Sequence, residues 1–497
     1  MPHTTSRALV GTACALYVLL HLVTIGRSHI PWFDDTFFAS IADTLRRTGQ
    51  FKLTVSPLWL EQPVYLYGPV YFLLVAGAFA TFGLGVLQYR LTGLIGACVL
   101  VALAHRILRR EGVERRFALA ACALMALDPI LLEFLRIGRM DLLAVSFFLL
   151  AYLLLVDSRE ATGRAAIAYS ALSGIAASLG VLTTPRPGYL LIPMALILLY
   201  RCWPGPFAPR FAQGVAWVAG FLPLCIAWIA YAFGSIAALL AYFGEFADTY
   251  AGAGLTTVSI EKPVLALVLV MTLIKVAREP RQFLSELTLF IGMGIVLFFL
   301  FVRNKGPFGG GYTILVVPFE YMAIGWLLSS CPRVSVPISR TTLRRVVLAL
   351  LFLLNGGAFL AIVSSDLLLW RALDPSEAQA LVRDRIPPGS KVVGDDKFFF
   401  IVRRAGSDFQ YMDRGGTLEE RVKYHAGTYD FDYLVTDQDE SSEALSAYRA
   451  STRLEKIGTI RTPPVSGFLR YPLFVRSKFM LWVFTTNYGG SLYKRVR

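Results

Sequence analysis

Two aspartates stand side by side in the stretch WFDDTFFASIADTLRRTGQF, residues 32–51. Asp34 and Asp35 come soon after the first long apolar run, residues 8–26. Carboxylates in that place admit two readings. Asp ahead of TFFASIADTL fits a helix N-cap, where a side-chain oxygen takes up an unpaired backbone N–H. A carboxylate at the rim of an apolar scaffold equally fits a general base that accepts a proton from a bound hydroxyl. A third acid, Asp141, follows Arg139 in RIGRMD, where another apolar run begins. That pair fits either an interfacial helix start or a second acidic site residue beside an anion-holding arginine.

Further cations share the apolar setting. TTPRPG (183–188) holds Arg186 between two prolines, which fix the backbone on both sides. A guanidinium on so stiff a turn suits a lipid phosphate, whether headgroup or substrate. RNKGPFGGGY (303–312) places Arg303 and Lys305 ahead of three glycines, which let a loop move or its backbone approach a ligand. It has no GKS/T and so is not a Walker loop. Lys52 adds one more cation near the acidic pair. Tyr65, Tyr67 and Tyr312 could line a sugar pocket, or anchor at the interface as tyrosines commonly do.

Hydrolysis of a glycoside needs an acid and a base carboxylate flanking the bond. Transfer from a lipid-phosphate sugar needs less. One carboxylate serves the acceptor hydroxyl, and cations neutralise the leaving phosphate. ATP chemistry lacks its motifs here. There is no CxxC, no HExxH and no pair of His at helical spacing, so no structural metal site is expected. A divalent ion at the acidic site stays compatible, because Asp34, Asp35 and Asp141 could supply oxygen ligands.

The elements that must position these residues are membrane helices. The chain has 497 residues, 56% of them hydrophobic and 16% charged, against about 25% charged in soluble domains. Its net charge of +14 sits largely in short loops between apolar runs. That is the signature of cytoplasmic loops, and it argues against nucleic acid as a partner. The six cysteines avoid the polar C-terminal region, so no disulfide framework is expected.

Charge alternation predicts eleven spans, at residues 8–26, 91–108, 117–133, 141–156, 165–182, 189–200, 211–233, 263–277, 284–302, 313–329 and 346–365. The N-terminus then lies inside and the C-terminus outside. Residues 69–87 are long enough to span. Counting them as a span would push HRILRREGVERR (105–116) to the outer face against the positive-inside rule. They are therefore read as a surface helix within an outer juxtamembrane stretch, 27–87. An outer loop is expected over about 241–262. Residues 1–370 form the membrane module.

Residues 371–497 change character. Runs such as KVVGDD, DFDYLVTDQ and LEKIGTI read as strands. SEAQALVRDRI reads as a helix stopped by IPPG. A small α/β domain on the extracytoplasmic side is expected, with YPLFVRSKFMLWVFTT (471–486) as core strands in preference to a patch that touches lipid.

The chain resembles the integral-membrane GT-C glycosyltransferases, in the protein-mannosyltransferase-like and aminoarabinose-transferase-like branch that includes lipid-A-modifying enzymes. The resemblance rests on Asp34-Asp35, Phe38, Ala42, Leu45, Gly49, then YGPVYFLLVAGAFATFG, and is best over residues 30–200. Arg90 and HRILRREG fall where such proteins have a basic inner loop. Arg136 or Arg139 with Asp141 match the RxxxD-type opening of the fourth span. The family has Glu where Asp35 stands. Aminoarabinose-type relatives have Lys-Pro where Gln62-Pro63 stands, so Lys52 or Arg186 would have to replace that phosphate contact.

The resemblance implies a polyprenyl-phosphate-sugar donor and an acceptor hydroxyl or phosphate on an envelope glycan, lipid or protein. It implies transfer at the outer face of the inner (plasma) membrane, with inversion at the sugar carbon. Asp34 would be the base, Asp35 its support and Asp141 a second acid. Arg139, Arg186, Arg303, Lys305 and Lys52 are candidate phosphate ligands. The rival readings are a transporter or flippase for lipid-linked glycans and a non-catalytic envelope-assembly protein. A transporter would show related halves and charges near the midplane, whereas here the charges gather at the outer rim.

Overall fold

The computed structural model describes residues 2–56, 58, 65, 67–202, 207–250, 285–300, 309–329, 340–461 and 487–497. Arg303, Lys305, the expected span 263–277 and the run 471–486 lie outside the described residues.

The chain opens with α1, Pro2–Thr24, and a 3-10 turn, Ile25–Arg27. Helix α2, Phe33–Thr48, follows; its residues from Asp35 to Thr44 are all buried. It ends at Gly49, whose φ of 73° is the left-handed conformation favoured by glycine. Helix α3, Pro69–Phe82, starts with Pro at its first position, where the missing N–H costs nothing.

The bundle continues with α4, Val86–Arg110, α5, Arg115–Ala126, α6, Pro129–Arg136, α7, Asp141–Glu160, and α8, Gly163–Val181. It is completed by α9, Leu191–Cys202, α10, Phe207–Ala232, α11, Ile236–Tyr250, α12, Glu286–Phe298, α13, Val317–Ser329, and α14, Arg340–Leu368.

Six of the described helices are long and apolar enough to cross a membrane, or seven if the bent pair α5–α6 is one span. Several runs expected to span form shorter helices. Helix α9 has 12 residues, and α12 and α13 have 13 each, against the ~20 needed to cross a hydrocarbon core. The stretch 117–133, expected as a span, bends by 56° between α5 and α6. Asp128 accepts from the backbone N–H groups of Ile130 and Leu131, and Pro129 opens α6. That is a helix start inside an apolar run. Residues 241–250, expected in a loop, belong to α11. Helix α3 stops at Phe82, with Gly83 and Gly85 flanking the turn into α4.

The bundle contains buried charges and polar groups that are paired. Arg136 pairs with Asp366 where both are fully buried. Asp128 accepts from Tyr321, whose hydroxyl also accepts from Asn355 at 2.6 Å. These groups tie α6, α13 and α14 together, as buried polar groups do when paired.

The C-terminal region holds α15, Ser376–Arg385, and a five-stranded sheet. Helix α15 ends at Ile386 and two prolines, the expected stop. The strands are β1, Lys391–Gly394, β2, Asp408–Tyr411, β3, Tyr433–Thr436, β4, Leu454–Ile460, and β5, Gly490–Arg495. Their order is β2-β1-β3-β5-β4. The β2, β1 and β3 strands are mutually parallel, and β5 is antiparallel to β3 and β4. Three short helices complete the layer, α16 at Phe399–Arg404, α17 at Leu418–Lys423 and α18 at Glu443–Ser451.

This domain docks on α2 and α3. Phe37, Phe38 and Phe72 share one apolar core with Phe398, Phe399 and Tyr411. Tyr411 donates its backbone N–H to the Val55 carbonyl at 2.9 Å, and its hydroxyl lies 2.7 Å from that of Thr36. Arg403 on α16 reaches Asp43 on α2 at 2.8 Å. Burial opposes ionisation of Asp43, yet hydrogen bonds from Arg46 and Arg403 outweigh it and hold the carboxyl below its usual range.

Candidate active site

Asp34 and Asp35 lie in the first turn of α2, and neither is its N-cap residue. The N-cap is Trp32, whose own side chain makes no capping hydrogen bond. Adjacent residues on a helix point about 100° apart, and these two have parted company. Asp35 is fully buried against Arg90, with Arg90 Nη2 at 2.8 Å from its Oδ2. Arg90 Nη1 also donates to the carbonyls of Ile25 and His29, each at 3.0 Å. Asp35 and Arg90 therefore pin α2 to α4 and to the end of α1. Arg90, expected in an inner loop, sits on the same side as the acidic pair. Burial pushes Asp35 up to about 7, with Arg90 pulling against it.

Asp34 faces the other way and keeps 22% of its side chain exposed. Its Oδ2 accepts from Arg139 Nη1 at 2.5 Å. Arg139 Nε donates to Asp141 Oδ2 at 3.0 Å. Arg186 Nη1 stands 3.5 Å from Asp141 Oδ1, and its Nη2 donates to the Tyr67 hydroxyl at 2.8 Å. The Tyr312 ring lies 4.2 Å from the Arg186 guanidinium and 5.7 Å from that of Arg139, a cation–π arrangement. Five sequence-expected residues, Arg139, Asp141, Arg186, Tyr67 and Tyr312, converge with Asp34.

Two close backbone approaches build this convergence. Gly138 has φ 63°, and a Cβ there would press on Tyr89 and on the Arg90 backbone. Its carbonyl accepts from the Tyr71 hydroxyl. This corner between α6 and α7 fixes where Arg139 leaves the chain. Gly68 lies so close to the Leu182 carbonyl that a Cβ would come within 2.0 Å of it. Val70 N–H donates to that same carbonyl at 3.1 Å. The start of α3 is thereby stapled to the turn that carries Arg186, which brings Tyr67 and Arg186 together.

Other expected residues go elsewhere. Lys52 is exposed and forms no ion pair among the described residues. Tyr65 joins an aromatic group with Trp228 and Phe233. Among the described residues no group of three or more His, Cys, Asp or Glu could hold a metal ion. The carboxylates considered as ligands point to Arg90, Arg139 and Arg186 instead, a set that does not fit a cation.

Electrostatics separate the acids further. Burial raises the pKa of Asp34, and Arg139 and Arg186 only partly offset it. A raised carboxylate is a stronger base once ionised. Arg139 is buried among Asp141 and Asp34, which hold its charge more firmly than usual despite the burial cost.

Residues 36–191 match the family model described as alpha-(1->6)-mannopyranosyltransferase, N-terminal domain. That match covers about a third of the chain and supports a glycosyltransferase. The enzyme's fold is similar to that of ArnT from Cupriavidus metallidurans bound to undecaprenyl phosphate. The TM-score is 0.62 at 13% identity, over 98% of this chain and 98% of that one. The apo form of the same protein gives a TM-score of 0.60 at 14% identity, over 92% and 96% of the two chains. The arabinofuranosyltransferase AftD from Mycobacteria gives 0.51 at 15% identity, over 98% of the enzyme but 41% of that chain. A search of curated protein sequences finds no match to the enzyme.

Sequence reasoning missed two residues. Arg90 looked like the onset of a basic segment. Arg414 lies in the other domain, yet its guanidinium stands 4.7 Å from the Phe33 ring, one residue before Asp34.

Proposed function

We propose that the enzyme moves a sugar from a polyprenyl-phosphate donor to an acceptor hydroxyl at the extracytoplasmic face of the plasma membrane, with inversion at the sugar carbon. The observation that carries this reading is the chain Asp34–Arg139–Asp141–Arg186 beside a membrane bundle. It links one partly exposed carboxylate, through Arg139 and Asp141, to a second guanidinium, that of Arg186.

Asp34 accepts the proton of the acceptor hydroxyl through its free edge. The acceptor oxygen attacks C1 of the sugar as the C1–O bond to phosphate breaks. The polyprenyl phosphate leaves with its charge held by Arg139 and Arg186, the fixed cations such a leaving group requires. Arg186 Nη1 is buried without a hydrogen-bond partner, which leaves a donor for a phosphate oxygen. Asp141 is a positioning residue that aims both guanidinium groups. Tyr67 and Tyr312 flank Arg186 and wall the sugar side. Asp35 supports the site through Arg90 and does not touch substrate. Arg303 and Lys305 remain candidate phosphate ligands, and the acceptor belongs to an envelope glycan, lipid or protein.

The fold likeness to a protein bound to undecaprenyl phosphate supports the lipid donor. The test uses purified protein in liposomes with radiolabelled undecaprenyl-phosphate sugars, beside mass spectrometry of envelope glycans from cells with and without the gene. A glycan that disappears with the gene, and label that moves off the carrier, are expected. Label that stays on the carrier with all donors, while the envelope is unchanged, would overturn the reading.

A further inference from the structure

The bundle has a second charged end, remote from Asp34. Arg90 and Asp366 mark the site ends of α4 and α14, through their pairs with Asp35 and Arg136. The far ends of the same helices carry Arg110 and Arg344. At the rise of an α-helix each stretch is about 30 Å long, which matches the thickness of a hydrocarbon core. Both helices are apolar enough to cross one. The far end therefore lies across the bilayer from Asp34.

Two stretches of sequence meet there. HRILRREGVERR (105–116) closes α4 and opens α5, and SCPRVSVPISRTTLRR (330–345) runs into α14. Glu114 N–H donates to Ser329 Oγ at 3.0 Å, at the end of α13. Arg344 Nη2 donates to the Ser329 carbonyl at 3.4 Å. The Phe117 ring lies 5.0 Å from the Arg344 guanidinium and 4.7 Å from that of Arg116. The turn between α4 and α5 and the start of α14 thus form one surface.

Positive charge is in surplus on it. The two stretches hold two acids between them, Glu111 and Glu114, and both are taken. Glu111 accepts from Tyr152 at 3.0 Å and faces Arg159 at 3.9 Å. Glu114 pairs with Arg116 at 2.7 Å. Towards α7 and α12 the arginines are matched, Arg110 by Asp157 and Glu160, and Arg201 by Glu286. Arg106, Arg109, Arg115, Arg344 and Arg345 have no carboxylate partner among the described residues. Arg109 and Arg344 each donate to a carbonyl, but Arg344 Nε is buried without a hydrogen-bond partner. Arg115 and Arg345 are exposed.

The neighbouring surface decides which anion fits. One residue past Arg345 an exposed apolar face of α14 begins, with Val346, Leu350, Leu353 and Leu354. A soluble phosphate or a nucleic acid would leave that face bare, whereas a phospholipid covers it. Guanidinium groups bind phosphate oxygens in a two-pronged way, and basic clusters at the ends of membrane helices attract anionic headgroups. We propose that Arg115, Arg344 and Arg345 form a site for an anionic glycerophospholipid, with its phosphate on the guanidinium groups and its acyl chains along α14. The site is separate from the Asp34 cluster and does not depend on the transferase reading.

The experiment is native mass spectrometry of the full chain in detergent, titrated with phosphatidylglycerol and with phosphatidylcholine of the same acyl chains. The wild type should bind phosphatidylglycerol at least 5-fold more tightly. The double variant Arg344→Gln with Arg345→Gln should weaken phosphatidylglycerol binding about 10-fold or more and leave phosphatidylcholine unchanged. Arg115→Gln with Arg345→Gln removes two exposed side chains, so it tests the site without disturbing the packing at Phe117, and it should show a similar loss. Arg164→Gln removes an exposed cation at the start of α8 and should bind as the wild type does. Equal affinity of the wild type for the two lipids, or wild-type affinity in either double variant, overturns the proposal. An equal loss in Arg164→Gln overturns it as well, since net charge alone would then account for binding. Displacement of phosphatidylglycerol by equimolar undecaprenyl phosphate overturns the choice of a glycerophospholipid.

Discussion

Arg139 holds Asp34 at 2.5 Å through Nη1 while its Nε holds Asp141 at 3.0 Å. One guanidinium thus joins the carboxylate with an open edge to the carboxylate that has none. The arrangement leaves Asp34 ionisable but costly to ionise, since burial raises its pKa and Arg139 and Arg186 restrain the rise.

The pH dependence of transfer follows. Asp34 must be ionised to accept a proton, and its pKa lies above the ordinary carboxylate value. Activity is therefore full at high pH and falls as pH drops through that raised value. The acid limb of kcat/KM should show one ionisation above the usual Asp range. Removing Arg139 as Arg139→Gln takes away a charge that lowers the pKa, so the limb in its residual activity should move to higher pH. A limb that stays put in that variant would detach Arg139 from Asp34.

Arg186 should matter for lipid phosphate in a way that charge alone cannot replace. A charge-assisted hydrogen bond contributes roughly 1.5–3 kcal/mol, so Arg186→Ala should weaken undecaprenyl phosphate binding about 10- to 100-fold. Lysine lacks the planar fork that bonds Tyr67 and lies against Tyr312. Arg186→Lys should therefore recover little. Binding followed by intrinsic fluorescence in detergent checks both, and wild-type affinity in Arg186→Ala would contradict the assignment.

Asp35 should behave as a structural residue. Breaking a buried ion pair by removing one partner costs on the order of 3–5 kcal/mol. Asp35→Ala strands Arg90 and should lower the unfolding temperature clearly. The double variant Asp35→Leu with Arg90→Met leaves no buried charge and should be more stable than Asp35→Ala alone. Thermal unfolding of the three proteins decides it. Wild-type stability in Asp35→Ala would mean the pair does not pin α2 to α4.

Much of this could be read from the sequence, and the failures have physical causes. The cluster of Asp34, Arg139, Asp141, Arg186, Tyr67 and Tyr312 was legible because charged groups beside apolar runs are costly and need a reason. Which member of the Asp34–Asp35 pair faces the site was implied by resemblance and could not be told from spacing, because it depends on Arg90 in another helix. The break at Leu127–Asp128 carried a helix-start signal, Asp followed by Pro, that the surrounding apolar run concealed. The α/β domain was readable from its strands and from the IPPG stop after α15. Arg414 was not readable. Its contact with the Phe33 ring arises from the docking of β2 on α2, and no local rule reports on such a contact.

The central claim is that Asp34 takes the acceptor proton while the arginines hold the phosphate. Asp34→Asn tests it most directly, because the amide keeps the shape and loses the base. Sugar transfer from undecaprenyl-phospho-sugar and undecaprenyl phosphate binding should be measured on the same liposome preparation. The account predicts a loss of transfer of about 10²- to 10⁴-fold with binding of the lipid phosphate retained. Transfer at the wild-type rate in Asp34→Asn would contradict it.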